Sequence, residues 1–414
     1  MSTPSSAAGL RSYLSVTGAY WGFTLSDGAL RMLVLLHFYQ LGYSPFSLAL
    51  LFLLYEAAGV VANLVGGWLA TRHGIQRMLL VGLSLQVCGL LLLSALSPAW
   101  TAAASVVWVV LAQGICGVAK DLTKTASKSA IKLTAGGGAG QLFRWVAWFT
   151  GSKNAMKGVG FFLGGALLDL LGFRPALWLL AGALGLVFIC VVLLVPRLMG
   201  KGRASGSARE FFARRPGVNL LAAARVTLFG ARDVWFVVGM PVFLYAQGWS
   251  FTGVGTFLAA WTIGYGLIQA GTPHLVHRST DGLQDEVPAA IRWSAVAAAI
   301  TLALALVAWL QPNGLEWWIV GGLVAFGGAF AVNSSLHSYL ILAYAGSEKA
   351  AEDVGFYYAA NALGRFLGTL LSGLLYQAGG LALTLAGSAL LLLVCWLIVL
   401  NLPRDPHVVR AGTV

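Results

Sequence analysis

Ionisable side chains are scarce in this chain. Only 10% of its 414 residues are Asp, Glu, Lys or Arg, whereas a soluble globular protein carries about 25%. Hydrophobic residues make up 58% of the chain, and its mean hydropathy is +0.81. This composition excludes an ordinary soluble domain and indicates a protein whose surface faces lipid.

Cysteine is also rare, and no two cysteines have the spacing of a metal site or a redox motif. The four cysteines each lie alone in an apolar run: Cys88, Cys116, Cys190 and Cys395. We expect them to be buried small hydrophobic residues that bind neither a metal nor a cofactor. No nucleophile–base pair stands out either, so the sequence does not predict an enzyme.

Long apolar runs are abundant instead. Twelve of them are long enough to cross a bilayer, which takes about 20 residues. Their approximate limits are 13–40, 46–70, 78–97, 100–121, 142–171, 174–196, 217–245, 251–275, 291–310, 316–344, 353–378 and 380–401. Apolar runs of this length predict helices, which satisfy their own backbone groups in lipid. The sequence therefore predicts an all-α integral membrane protein with twelve transmembrane helices.

The basic residues are distributed asymmetrically between the connections. The even-numbered connections contain Lys and Arg repeatedly, whereas the odd-numbered ones contain only Arg174. The positive-inside rule then predicts that both termini are cytoplasmic, in a multi-pass protein of the inner (plasma) membrane. Most of the net charge of +12 comes from the basic residues of these connections, and we expect membrane lipid to be their partner. Scattered basic residues of this kind argue against nucleic-acid binding.

The second half of the chain repeats the first. A shift of 206 residues pairs Asp27 with Asp233, Gly42 with Gly248, and Ser44 with Ser250. A shift of 208 pairs Lys157 with Arg365 and Gly160 with Gly368. We therefore predict two pseudo-symmetric six-helix bundles, 1–196 and 217–414, joined by a basic cytoplasmic linker at 197–216. This arrangement resembles the major facilitator superfamily, whose substrate sites are expected near the midplane between the repeats.

A loop motif strengthens the resemblance. The segment GGWLATRHGIQR joins the second and third predicted helices and is similar to the signature of that superfamily at this position. The matching residues are Gly67, Arg72 and Gly74, with a further basic residue at Arg77. Thr71 and Ile75 depart from the signature, which weakens the charge interaction expected of the loop.

Charged residues at mid-membrane depth in the predicted helices are the informative ones, because each costs about 2.5–3.5 kcal/mol at the bilayer centre. The cations are Arg31, Lys153, Lys157, Arg225, Arg232 and Arg365. The acids are Asp27, Glu56 and Asp233. Six cations minus three acids leave an excess of three positive charges, which favours a small anionic substrate.

These residues divide into three predicted roles. Lys153 and Lys157 lie four residues apart on one helix face and repel each other unless an anion bridges them. The residues predicted to bind substrate are Arg31, Lys153, Lys157, Arg232 and Arg365. Those that either contact substrate or are structural are Asn154, Arg225 and Asn361. Those that either couple protons or form ion pairs are Asp27, Glu56 and Asp233. Because Arg232 and Asp233 are adjacent, we expect each to need a partner on another helix.

Four stretches resemble the organoarsenical efflux permeases (ArsJ type) of the same superfamily: DGALRMLVLLHFYQLGYSP, YEAAGVVANLVGGWL, GSKNAMKGVGFFLGGALL and GARDVWFVVGMPVFL. The resemblance implies export of 1-arseno-3-phosphoglycerate, which confers arsenate resistance. It also implies a functional partnership with the glyceraldehyde-3-phosphate dehydrogenase that forms this ester. The absence of paired cysteines argues against trivalent arsenic, which favours thiolates.

Two other functions fit the same residues. A basic cavity also suits a facilitator or antiporter for phosphate or a sugar phosphate. A membrane sensor or scaffold with a degenerate transporter fold would bind its ligand without transport. The residues alone do not encode the direction of transport or its driving force.

Overall fold

The computed structural model describes residues 6–134, 139–195, 216–275, 283–345 and 350–404. Within these ranges, side-chain surroundings are not described for 6–13, 63–73, 128–129, 131–134, 139–151, 273–275 and 350–352. All regular secondary structure in the described residues is helical. The helices are α1 (Ser6–Gln40), α2 (Pro45–His73), α3 (Ile75–Ser94), α4 (Ala102–Thr134), α5 (Ala139–Leu171), α6 (Phe173–Leu194), α7 (Pro216–Val234), α8 (Met240–Ala246), α9 (Phe251–Leu275), α10 (Glu286–Leu310), α11 (Leu315–Tyr344) and α12 (Ala350–Leu400).

The predicted all-α membrane fold is confirmed in the described part of the chain. Ten segments there are long and apolar enough to cross a membrane. One of them combines α7 and α8, and another runs along α12 from Asp353 to Leu400. The α12 backbone leaves helical geometry at Gly379 and Gly380, where Gly380 has a φ of 59°. This break falls between the predicted spans 353–378 and 380–401. Counting both arms of α12, and α7 with α8 once, the described residues form twelve long helical segments.

A π-helical turn, Trp235–Gly239, joins α7 to α8. Pro241 follows this turn, and proline cannot donate a backbone hydrogen bond to the preceding turn. Independently of the proline, the amides of Val238 and Gly239 donate to the Ser372 hydroxyl of α12, at 3.1 and 3.2 Å. The irregular turn is thus fixed to α12 directly after the charged pair Arg232–Asp233.

The paired residues of the sequence repeat have the same local structure. Gly42 and Gly248 both adopt left-handed backbone geometry, with φ values of 85° and 86°. The Ser44 hydroxyl accepts a hydrogen bond from the Ser47 amide at 3.2 Å, which caps the start of α2. The Ser250 hydroxyl accepts one from the amide three residues later at 3.0 Å, which caps α9. These are N-cap contacts of the usual kind.

Glycines at matching positions allow close helix crossings. A Cβ atom at Gly368 of α12 would lie 2.6 Å from the Gly230 carbonyl oxygen and 2.8 Å from the Asp233 Cβ of α7. At Gly160 of α5, a Cβ atom would lie 3.1 Å from the Gly28 Cα of α1. Each crossing places an aspartate of the repeat, Asp27 or Asp233, beside the helix that carries the paired cation.

Replacing Gly368 by alanine is expected to destabilise the protein by about 1–3 kcal/mol, because the added methyl forces α7 and α12 apart. Gly355 of the same helix has no atom within 4 Å of the position of its Cβ, so Gly355→Ala is the matched control. The control should be neutral or stabilising by up to about 1 kcal/mol, from helix propensity. Thermal unfolding in detergent measures both variants. Equal melting temperatures would show that the crossing tolerates a side chain.

The chain folds as two compact units that are not contiguous in sequence. The first unit contains 1–38, 61–206 and 250–263, and the second contains 39–60, 207–249 and 264–414. The division into 1–196 and 217–414 stays a prediction, and most of the predicted linker, 197–215, lies outside the described residues.

In each unit, a side chain at the end of one helix binds the start of a helix from the other half of the chain. In the first unit, the Asp169 carboxylate accepts a hydrogen bond from the Thr252 amide at 2.7 Å. In the second unit, the Gln377 side-chain carbonyl accepts one from the Phe46 amide at 3.2 Å. Asp169 and Gln377 are related by the shift of 208 residues, so the two caps are also part of the repeat.

The expectation of buried cysteines is wrong for two of the four. Cys116 and Cys395 are buried, but Cys88 and Cys190 are exposed on the protein surface. Apolar runs predict that a residue lies in a membrane-spanning helix, but they do not distinguish its protein-facing side from its lipid-facing side. All four thiols are free.

Candidate functional site

Six of the predicted residues form one cluster in the second unit, which we call the arginine patch: Glu56, Arg225, Arg232, Asp233, Asn361 and Arg365. Its ion pairs centre on two carboxylates that are each only 1% exposed, Glu56 and Asp233. Arg365 Nη2 lies 2.6 Å from Glu56 Oε1, and its Nε lies 3.4 Å from Asp233 Oδ2. Arg365 therefore links a carboxylate of α2 to a carboxylate of α7.

Arg232 completes this chain of charges. Its Nη2 lies 2.5 Å from Asp233 Oδ1, and its Nε lies 2.6 Å from the same oxygen. The expectation that each of these adjacent residues needs a partner on another helix is therefore wrong for the charge of Arg232, although Asp233 has such a partner in Arg365 of α12. Neighbouring Cβ atoms on a helix point about 100° apart, but the long arginine side chain folds back over its neighbour. Asp233 thus has an arginine on each side.

Arg225 enters the patch about two helical turns before Arg232. It is 5% exposed, and its Nε donates to Asn361 Oδ1 of α12 at 2.9 Å. Its Nη1 donates to both the carbonyl and the hydroxyl oxygen of Ser334 of α11, at 3.1 and 3.2 Å. Asn361 therefore orients a buried cation, and three helices meet at the Arg225 guanidinium.

Aromatic rings separate the arginines. The Phe229 ring centroid is 4.0 Å from the guanidinium carbon of Arg225 and 4.7 Å from that of Arg232. The Tyr357 ring lies 4.9 Å from Arg225, and the Phe330 ring lies 5.5 Å from Arg232. Ring faces carry negative electrostatic potential and attract such cations. They hold the guanidinium planes in position without neutralising their charge.

The patch has more cations than carboxylates. Three arginines stand against Glu56 and Asp233, which leaves one positive charge. Buried ions are stable only when counter-charges and hydrogen bonds compensate them. An anion entering this region would supply the missing negative charge.

The other predicted site residues lie in the first unit. Asp27 and Arg31 of α1 are buried, with 8% and 6% exposure, whereas Lys153, Asn154 and Lys157 of α5 are half-buried. The residue after Asp27 is Gly28, where a Cβ atom would lie 2.8 Å from the Lys157 carbonyl oxygen. At the α1–α5 crossing, the turn of α1 that carries Asp27 therefore packs against the turn of α5 that carries Lys157.

Two further contacts define the surroundings of the lysines. Lys157 Nζ lies 5.6 Å from the Phe161 ring centroid, one turn further along α5. The indole nitrogen of Trp21 in α1 donates to the Ser152 hydroxyl at 3.0 Å, directly before Lys153. An aromatic ring thus lies beside the Lys157 ammonium group, and a hydrogen bond joins α1 to α5 at the residue before Lys153.

The loop motif is only partly described. Gly67 and Arg72 lie in the part of α2 whose side-chain surroundings fall outside the described residues. Gly74 precedes α3 with a φ of 81°, a left-handed geometry that favours glycine. Arg77 is exposed on the first turn of α3. The role of the motif in conformational change stays a prediction.

Sequence reasoning missed the contribution of α11. Ser334 and His337 are both fully buried, and Ser334 binds Arg225. The signal was present in the sequence as NSSLHS, residues 333–338, a polar run inside an apolar helix. It also missed Asp121, which is 2% exposed and pairs with Lys124 at 2.9 Å and with Lys120 at 3.8 Å.

Comparisons with known proteins agree with this architecture. The family profile described as Major Facilitator Superfamily matches residues 14–368, well over half of the chain. A solved structure described as "Structural insights into substrate recognition in proton dependent oligopeptide transporters" is similar, with a TM-score of 0.72 and 16% identity. The match covers 98% of this chain and 100% of that chain. At this identity the likeness concerns the fold alone. Among curated proteins, none is significantly similar in sequence to this chain.

Proposed function

The chain belongs to the major facilitator superfamily, and we propose that this multi-pass secondary transporter exports an anionic organic oxyanion ester. Transporters of this architecture bind their substrates among membrane-embedded polar groups. The charged groups of this chain at that depth therefore decide the chemical class of the substrate. Their excess of cations favours an anion.

The arginine patch carries the proposal. Arg225, Arg232 and Arg365 outnumber Glu56 and Asp233, and both carboxylates already contact arginine. Intramembrane charges are costly, and such residues commonly mark a substrate path. Arginine also suits oxyanions, because its planar guanidinium can donate two parallel hydrogen bonds to a carboxylate or phosphate.

We propose 1-arseno-3-phosphoglycerate as the substrate, on the basis of the resemblance to organoarsenical efflux permeases. This molecule carries a carboxylate, a phosphate and an arsenate group, so it can neutralise several cations. The dehydrogenase that forms it from arsenate would be the functional partner of the transporter. The proposed location is the inner (plasma) membrane, with both termini in the cytoplasm. The predicted positive-inside orientation then places the basic connections on the side where the substrate is made.

Arsenate tolerance tests this proposal directly. Cells that express the transporter together with the dehydrogenase are expected to tolerate more arsenate and to contain less arsenic than cells with either protein alone. Growth curves and the arsenic content of washed cells measure these effects. Equal arsenic content in all strains would contradict the export proposal. Faster uptake of labelled phosphate would favour the phosphate facilitator, and ligand binding without any flux would favour the sensor or scaffold.

A further inference from the structure

Arg225 differs from the other arginines of the patch in the nature of its partners. Arg232 and Arg365 each contact a carboxylate, but Arg225 does not pair with a carboxylate anywhere in the described part of the chain. Its hydrogen bonds go to the neutral groups of Asn361 and Ser334. A cation that is 5% exposed and whose described partners are all neutral groups keeps much of its desolvation cost.

The surroundings of Arg225 also leave one edge of its guanidinium available. The group has five N–H donors, one on Nε and two on each terminal nitrogen. Nε and Nη1 are used by Asn361 and Ser334, and the rings of Phe229 and Tyr357 contact the guanidinium. Within the described residues, Nη2 has no hydrogen-bond acceptor. The guanidinium is planar and rigid, so the hydrogen bonds of Nε and Nη1 also fix the direction of the two N–H groups on Nη2.

His337 is a second buried polar group with unsatisfied hydrogen-bonding capacity nearby. It is fully buried, and among the described residues neither ring nitrogen has a hydrogen-bond partner. It lies three residues after Ser334, on the same face of α11, and Ser334 accepts both hydrogen bonds of Arg225 Nη1. A buried polar group without a partner costs about 1–3 kcal/mol, so two such groups near one another point to a ligand that satisfies both.

We propose that Arg225 and His337 form the docking point for one oxyanion group of the transported molecule, either a carboxylate or a phosphoryl group. The oxyanion would accept hydrogen bonds from Arg225 Nη2 and from the protonated nitrogen of the neutral His337 ring. It would also supply the counter-charge that Arg225 lacks. This inference rests on the proposed export of an organic anion. It adds that the anchor is held inside the second unit by α7, α11 and α12.

Binding to purified protein in detergent tests the docking point. The probes are 3-phosphoglycerate, which carries both groups, glycerate, which carries only the carboxylate, and glycerol 3-phosphate, which carries only the phosphoryl group. Arg225→Lys keeps the charge but loses the fixed two-hydrogen edge. We expect Kd for 3-phosphoglycerate to rise about 10- to 100-fold, which corresponds to the loss of a charge-assisted hydrogen bond. If Arg225→Lys also raises Kd for glycerate, the carboxylate docks at Arg225. If it raises Kd for glycerol 3-phosphate instead, the phosphoryl group docks there.

Two further variants make the test decisive. Arg292→Gln removes an exposed positive charge of α10 and should bind all probes as the wild type does. His337→Leu removes the ring donors at similar volume and should raise Kd about 3- to 10-fold. If Arg225→Lys does not yield monodisperse protein, His337→Leu decides the question.

Wild-type affinity in every well-folded Arg225 and His337 variant would overturn the docking point, and so would a wild-type protein that binds none of the probes. The tolerance assay separates this failure from that of the proposed function. Arsenic export with unaltered binding in these variants rejects only the docking point. Binding through Arg225 without arsenic export rejects only the arsenical substrate.

Discussion

Replacing Glu56 by glutamine is expected to destabilise the protein by about 3–5 kcal/mol and to abolish transport. Glu56 is 1% exposed, and its carboxylate lies 2.6 Å from Arg365 Nη2. Glutamine keeps the shape of the side chain but removes the negative charge that faces Arg365, whose contact with Asp233 is longer, at 3.4 Å. Removing one partner of a buried ion pair leaves an uncompensated charge, which is the origin of the penalty. Thermal unfolding in detergent and flux in vesicles measure the two effects.

A double variant provides the control. Glu56→Gln combined with Arg365→Gln removes both charges, and Asp233 keeps its contact with Arg232. We expect the double variant to be more stable than either single variant, because the two residues interact directly and their effects are not additive. If the penalties of the two single variants simply add, the ion pair contributes nothing to stability.

The single variant Glu56→Gln also tests whether Glu56 couples transport to protons. This proton-coupling hypothesis stays a prediction. The contact with Arg365 accounts for a buried carboxylate without any role in proton transport. In vesicles with an imposed pH gradient, a well-folded Glu56→Gln protein that retains exchange but no longer responds to the gradient would support proton coupling. If it responds as the wild type does, Glu56 is not the coupling residue. If the wild type also ignores the gradient, protons do not drive transport.

Replacing Lys153 or Lys157 by alanine is expected to abolish transport while membrane insertion is retained. Both lysines are half-buried near the middle of α5, and Lys157 lies where α5 crosses α1 beside Gly28. The two like charges lie four residues apart on one helix face and repel each other, so loss of one relieves repulsion and should not harm folding. A substrate anion that bridges them would lose half of its counter-charge. Uptake of 3-phosphoglycerate into vesicles, at matched protein amounts, measures the effect.

A charge-matched control shows whether loss of flux requires these particular lysines or follows from the loss of any one positive charge. Arg292→Gln removes one exposed positive charge, and its flux should equal that of the wild type. Lys157→Arg should retain partial flux, because the charge remains but its position changes. Normal flux in both alanine variants, at normal expression, would exclude the lysines from substrate binding.

The sequence predicted the helices well because their signals are local. Apolar length predicted the segments, and the run that ends at residue 378 marked the break at Gly379 and Gly380. The repeat predicted that Lys157 and Arg365 occupy equivalent positions, and both lie at glycine-mediated helix crossings. These features depend on residues close together in the chain or related by a fixed shift.

The contacts within the arginine patch could not be predicted in the same way. Glu56 and Arg365 are 309 positions apart, and nothing in either local sequence specifies the partner. The Arg232–Asp233 contact depends on the direction of a flexible side chain, so an argument from helical spacing gave the wrong result. Ser334 contributes its backbone carbonyl as well as its hydroxyl to Arg225, and residue type does not reveal the use of a carbonyl group.

The location of residues 39–60 in the second unit has a consequence for how the protein is made. The Phe46 amide binds the Gln377 side chain, 331 residues later in the chain. At a synthesis rate of about 5–20 residues per second, about 15–65 s pass between the two on the ribosome. During that interval, the first half of α2 is already translated while its partner surface on α12 does not yet exist. A chain that terminates before α12 would leave this stretch in the bilayer without its α12 surface, and the Glu56 carboxylate without its contact to Arg365. Quality-control proteases that recognise unpaired polar groups in membrane helices should therefore degrade such truncated chains quickly.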